Sequence, residues 1–262
     1  MTDETAQKLN GFFSLFAGAP RSLLLTDYDG TLAGFRIDRF KARPWAGVQQ
    51  LLARIQSGGR TRIAVITGRP AAEIPPMLPL DPPPEVWGLH GAERFYPDGR
   101  RELETISDAT QAKLEELRER LKRDALGGLF EDKANAAVMH WRGHSPQQAR
   151  AIERRTRALF EPLAQLDGLA LLEFEAGLEL RAGRDKGGAV REILSEEAPS
   201  APVVFLGDDL TDEAAFQAVN EASGPHLSVL VRHAMRKTVA DVWLKPPQEI
   251  RSFLRSWLEA SR

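Results

Sequence analysis

The sequence contains no cysteine. That removes disulfides, thiolate catalysis and cysteine-ligated zinc, and it fits a reducing compartment. It has no run near the roughly 18 consecutive apolar residues that a membrane-spanning helix needs, so no membrane partner is expected. It has no long block of one charge sign: 35 basic and 37 acidic residues are interspersed, for a formal charge of −2 and a pI of about 6.3, so nucleic acid is not an expected partner. The opening stretch MTDETAQKLNGFFSLFAGAP begins acidic, and its short apolar part is spaced like one helix face, so no secretory signal is expected. Internal repeats and low-complexity tracts are also missing. Cytosol is the expected compartment, and a monomer is taken as the default state.

What remains is ordinary in bulk, with 42% apolar and 27% charged residues over 262 positions. That length suits one domain carrying an inserted module. Strand-like runs at 22–26 (SLLLT), 62–67 (RIAVIT) and 202–206 (PVVFL) are apolar throughout, as expected of central parallel strands covered on both faces. Helical patterns at 44–57, 185–197, 209–220 and 247–261 alternate with them. The predicted fold class is α/β, a doubly wound Rossmann-like parallel sheet. Residues 75–84 (PPMLPLDPPP) are too proline-rich for helix or central strand and read as a surface connection. From 104 to 182 the pattern changes. A charged helix (107–124), strands at 128–133 and 135–141, a helix (146–160) and strands at 169–174 and 177–181 pair as hairpins. The expected domains are therefore a core of 1–103 and 183–262 and an inserted α/β cap of 104–182.

In open α/β sheets, ligands gather at the carboxyl ends of the strands. The three best strands lead into Asp27 and Asp29, into Thr67 and Gly68, and into Gly207, Asp208 and Asp209, while RDKGG (184–188) opens a helix with Lys186 on the same side. Four aspartates in one cleft repel one another and demand positive charge. Mg2+, a hard ion that takes carboxylate and carbonyl oxygens, suits them. A calcium-loop reading of DYDG fails because its glycine comes too early and a buried strand precedes it. His140 and His144 share a four-residue spacing, but WRG between them reads as a strand ending in a turn, so zinc is not expected there. The helix KLEELRERLKR (113–123) reads as a solvated amphipathic face with i to i+4 ion pairs.

DYDGT (27–31), TG (67–68), the lysine of RDKGG and GDD (207–209) resemble, in order, the four motifs of the haloacid dehalogenase superfamily of phosphatases. The resemblance implies Asp27 as nucleophile, forming an aspartyl phosphate, and Asp29 as the acid that protonates the leaving oxygen and the base that activates water, a role that requires a raised pKa. It implies magnesium held by the carboxylates of Asp27 and Asp208 and the main-chain carbonyl of Asp29. Thr67 and the Gly68 amide would grip phosphate oxygens, with Lys186 holding phosphate and nucleophile. Asp209 is expected to orient Lys186 or the metal's waters, Gly30 to permit the tight turn, and Thr31 to cap or support the loop.

GLHGAE (88–93), FEDKANAAVMHWR (130–142), LELRAGRDKG (178–187) and FLGDDLTDEAAF (205–216) further resemble the trehalose-6-phosphate phosphatase family, over about 23–243. By that resemblance the small-molecule partner is a sugar phosphate, and Glu131, Lys133 and Glu179 bind its hydroxyls. His90 and Arg69 either reach substrate or serve packing. Ala182 stands where the family often has proline and Pro70 where it often has serine, so sucrose 6-phosphate, glucosylglycerol phosphate or mannosylglycerate phosphate remain alternative substrates. A non-catalytic sugar-phosphate binding module is the reading from a different class.

Overall fold

The computed structural model describes residues 3–36, 38–124, 127–133, 135–166, 168–174 and 176–261. SLLLT forms strand β1 (Ser22–Thr26), whose side chains point alternately to the two faces. Leu24 joins a cluster built with helices α1 (Asp3–Phe16), α2 (Val48–Ser57) and α8 (Gln248–Ala260). Leu23 and Leu25 join a second cluster built with α6 (Lys186–Ser195) and α7 (Glu213–Asn220). An apolar run without alternation is what two covered faces require.

The chain divides into two compact units, Met1–Leu103 with Asp185–Arg262, and Glu104–Arg184. In the first, β1 lies between β2 (Thr61–Ile66) and β10 (Val203–Gly207) in an eight-stranded sheet. Beyond β2 follow β3 (Glu85–Gly88), β4 (Glu93–Phe95) and β5 (Arg101–Leu103); beyond β10 follow β11 (His226–Val231) and β12 (Val242–Leu244). Pairing is parallel from β12 across to β3 and antiparallel at β4 and β5. Register sets Thr26 of β1 beside Leu206 of β10 and Val65 of β2, so these three strands end at one level.

The second unit is an antiparallel sheet ordered β6 (Phe130–Lys133), β7 (Ala136–His140), β9 (Gly177–Ala182), β8 (Leu169–Phe174). One face packs with α4 (Asp108–Arg123) and α5 (Pro146–Phe160) through Leu114, Leu117, Leu121, Phe160, Met139 and Leu180.

Several expectations shift. The helix expected over 44–57 starts at Val48, because Gly47 turns the chain with φ +87° just before it. The pattern over 209–220 splits into a 3-10 turn, Leu210–Asp212, and α7. The proline-rich connection holds a short helix, α3 (Ile74–Met77), with its prolines in the first turn, where a missing N–H costs nothing, and it buries Met77, Leu78 and Leu80. In α4 the ion pairs run i to i+3, Lys113 with Glu116, Arg118 with Glu115 and Lys122 with Glu119, rather than i to i+4. No helix among the described residues is long and apolar enough to cross a membrane.

Candidate active site

The strand ends place Asp27 directly after β1, with its amide donating to the Leu206 carbonyl at 2.8 Å, and Asp208 directly after β10. Lys186 opens α6, whose start is fixed by Asp185 accepting from the Gly188 amide at 2.7 Å. Gly187 lets this turn press onto α7, since a Cβ there would lie 2.5 Å from the Ala214 carbonyl. The Lys186 ammonium bridges Asp27 Oδ1 at 2.9 Å and Asp212 Oδ1 at 2.7 Å. Asp212 is fully buried, and its other oxygen accepts from the amides of Asp208 (2.8 Å) and Asp209 (2.9 Å).

Asp212 is the functional residue the sequence reading missed. Asp209 is expected to orient Lys186 or the metal's waters; it is Asp212 that accepts the hydrogen bond from Lys186 Nζ, while Asp209 caps the 3-10 turn by accepting from the Leu210 amide at 2.8 Å. The signal was present in GDDLTD: one helical turn beyond Asp208 brings a carboxylate back under the loop's own amides. Of the two roles expected of Thr31, capping or supporting the loop, side-chain capping has no hydrogen bond behind it. Its hydroxyl is buried with no hydrogen-bond partner among the described residues, and it is its main-chain carbonyl that meets Trp45 Nε1 at 3.2 Å.

Gly30 is required twice over. Its φ of +78° lies in the left-handed region, and a Cβ there would overlap the Asp208 carboxylate. Thr67 follows β2 and is buried, its amide donating to the Trp87 carbonyl at 2.8 Å. At Gly68 a Cβ would fall 2.6 Å from His90 Nε2, so glycine makes room for the imidazole. Leu89 and His90 both adopt positive φ (49° and 59°), a conformation costing non-glycine residues of order 1 kcal/mol or more each. It is held by the Leu89 amide on the Arg69 carbonyl (2.9 Å) and the His90 amide on the Thr67 carbonyl (2.8 Å). His90 thus belongs to the Thr67 loop.

Arg69 is expected either to reach substrate or to serve packing. Four of the five N–H bonds its guanidinium offers are committed to protein acceptors, two of them on the carboxylate of Asp29.

Electrostatically the cluster is short of positive charge. Burial pushes the proton affinities of Asp27 and Asp208 above the ordinary carboxylate range; Lys186 opposes this while neighbouring aspartates add to it. Burial also raises Asp209. Burial alone would lower Lys186, but Asp212 and Asp27 outweigh it and hold the ammonium charged. Asp27, Asp208 and Asp212 offer oxygens within 4.8 Å of one another, a hard donor set that could hold a divalent metal. Asp212 already has both oxygens engaged, so Asp27 and Asp208 are the better ligands.

In the second unit, register pairs Glu131 with Val138 and Val138 with Glu179, and alternation sets Glu131, Lys133, His140 and Glu179 on the sheet face opposite the one α4 and α5 cover. Lys133 Nζ meets Glu179 Oε2 at 3.1 Å, and His140 Nε2 meets Glu131 Oε2 at 2.8 Å. His140, set aside as a metal ligand, is thereby the partner of a predicted sugar-binding carboxylate.

The profile of the trehalose-phosphatase family matches residues 25–246. The chain belongs to that family. Among curated relatives of this family member, the trehalose-phosphate phosphatase of Mycobacterium marinum is 31% identical over 251 residues, covering 89% of this chain and 60% of its own. The chain thus spans about 60% of the length of such relatives. Among solved structures, the C-terminal domain of trehalose-6-phosphate phosphatase from C. albicans superposes with a TM-score of 0.76 at 22% identity, covering 97% of this chain and 96% of that one. A haloacid dehalogenase-like hydrolase from B. subtilis gives 0.63 at 18% identity, covering 89% and 99%. These two likenesses fix the fold as haloacid dehalogenase-like.

Proposed function

We propose that the chain is a Mg2+-dependent phosphatase that hydrolyses trehalose 6-phosphate to trehalose and inorganic phosphate through an aspartyl-phosphate intermediate. The observation that carries this reading is Lys186 bridging Asp27, at the end of β1, and Asp212, in the 3-10 turn that follows β10, with the buried Thr67 at the end of β2. Magnesium, held by Asp27, Asp208 and the main-chain carbonyl of Asp29, would supply the positive charge that the buried carboxylates lack and would screen phosphate from nucleophile.

The chain's own groups do the rest. Asp27 attacks phosphorus through the oxygen that Lys186 does not hold, and the bond to the sugar oxygen breaks. Asp29 gives a proton to that departing oxygen, then takes one from the water that attacks phosphorus and releases Asp27. Thr67 and the Gly68 amide steady the phosphoryl oxygens, and Lys186 meets the charge developing on them. Asp212 and Asp209 fix Lys186 and the loop after β10. Glu131, Lys133 and Glu179 bind the sugar hydroxyls, which both donate and accept. His90 orders the phosphate loop through Gly68. The enzyme acts as a cytoplasmic monomer.

Purified protein should release phosphate from trehalose 6-phosphate with magnesium and stop when EDTA removes it. Sucrose 6-phosphate, glucose 6-phosphate and glucosylglycerol phosphate, run in parallel, should be poorer substrates. A clear preference for another of these esters would move the specificity, and saturable binding without release of phosphate would replace the enzyme by a binding module.

A further inference from the structure

The side chain of Arg69 is 7% exposed. Its Nε donates to Asp29 Oδ2 at 2.5 Å and its Nη2 to Asp29 Oδ1 at 2.7 Å, a two-pronged pairing that fixes the plane of the carboxyl as well as its position. Nη2 also donates to the Arg39 carbonyl at 2.9 Å, and Nη1 to Glu73 Oε2 at 3.2 Å. Glu73 in turn pairs with the Arg39 guanidinium. The fork on Asp29 is thus braced from behind by Glu73 and by the loop containing Arg39. Arg69 also follows Gly68 directly, so one side chain ties the Thr67 loop to the loop after β1.

We infer that Arg69 is the positioning residue for proton transfer by Asp29, and not a substrate contact. The inference rests on the proposed acid–base role of Asp29. A carboxyl on a turning loop samples several rotamers, and delivery of a proton to a departing oxygen needs one of them. Each oxygen of Asp29 spends one lone-pair direction on Arg69 and keeps another for the reaction. In the first half the proton leaves Asp29 for the sugar oxygen, which retains the electron pair of the broken P–O bond. In the second half a proton returns from the attacking water as the Asp27–phosphorus bond breaks. Arg69 neither gains nor loses a proton in either half.

The test compares kcat and KM of wild type, Arg69→Met, Glu73→Gln, Asp29→Asn and the double variants on trehalose 6-phosphate and p-nitrophenyl phosphate. Arg69→Met should lower kcat on the sugar ester about 10²-fold, as expected for a misplaced catalytic group, with KM within about twofold. p-Nitrophenolate departs without a proton, so this variant should release a rapid burst of it and then turn over slowly, because hydrolysis of the aspartyl phosphate still needs Asp29. Glu73→Gln, which only loosens the brace, should show the same pattern more weakly and remains informative if Arg69→Met fails to fold. Added to Asp29→Asn, either substitution should cost almost nothing further. A tenfold rise in KM with kcat unchanged would make Arg69 a substrate contact, and full additivity with Asp29→Asn would show that it acts independently; either overturns the inference. A wild-type chain that hydrolyses neither ester overturns the proposed function and this inference with it, whereas activity in wild type with either overturning pattern sinks the inference alone.

Discussion

Helix α6 connects two ion clusters of opposite character, the first buried and the second reaching the surface at Glu196. Its first residue, Lys186, sits among Asp27, Asp208 and Asp212; just past its last turn, Glu196 and Glu197 meet Arg62 at 2.7 and 3.2 Å. Glu196 also meets Arg94 at 2.6 Å, and Glu85 binds both arginines, at 2.8 and 2.9 Å. At this second cluster the opposite charges interlock: hydrogen bonds from Arg94 hold Glu196 below the usual carboxylate range, and although burial works against Arg62 and Arg94, their carboxylate partners keep them charged. At the first, burial forces Asp27 and Asp208 the other way. One cluster satisfies itself and reads as structure. The other is short of positive charge, the imbalance that the proposed cation and substrate would meet.

The contrast can be broken in order of expected effect. Asp27→Asn should reduce turnover about 10⁴-fold or more, measured as phosphate release, yet leave the urea midpoint unchanged or higher, since it removes an undercompensated buried charge. A destabilised variant would show that the first cluster is structural like the second.

Arg94→Ala should do the reverse. It strips one of two arginine partners from Glu85 and Glu196, each of which keeps Arg62, and should cost about 1–3 kcal/mol of stability in urea titration, with kcat per folded molecule retained.

Metal linkage sharpens the comparison through its sign. Because the folded-state proton affinities of Asp27 and Asp208 are raised, their contribution to stability is fully present below the ordinary carboxylate range and is lost as pH rises through their elevated values. A bound cation offsets that loss, so the rise in melting temperature on adding magnesium to EDTA-treated protein should be larger at pH 8 than at pH 5. Equal shifts at both pH values would mean the ion does not sit on these carboxylates.

The smallest effect belongs to the second unit. Lys133→Ala or Glu179→Ala should raise KM for trehalose 6-phosphate about tenfold, one lost charged hydrogen bond, while p-nitrophenyl phosphate turnover stays within about twofold.

Three strands of the parallel core, β1, β2 and β10, were legible because they are apolar on both faces, as Leu23, Leu24 and Leu25 show, whereas β11 of the same core was not read although it runs to six residues. The short β3, β4, β5 and β12 were not, since three or four residues carry too little periodicity to separate from a loop. Asp27, Asp29, Thr67, Lys186 and Asp208 stand at strand and helix ends; the spacing in GDDLTD hints at Asp212, but only the folded turn returns its carboxylate to Lys186. Nor could the pairing of Arg69 with Asp29 or of His140 with Glu131, since each joins segments whose approach depends on how the elements pack.

By itself the sequence determined the order of the elements and the chemistry at their ends, because hydrophobic periodicity and turn residues act locally along the chain. Tertiary structure decided which carboxylate holds Lys186, which guanidinium holds Asp29 and which ion cluster is balanced. Those outcomes depend on burial and on distances of about 3 Å between residues far apart in the chain, and neither quantity exists until the sheet has assembled.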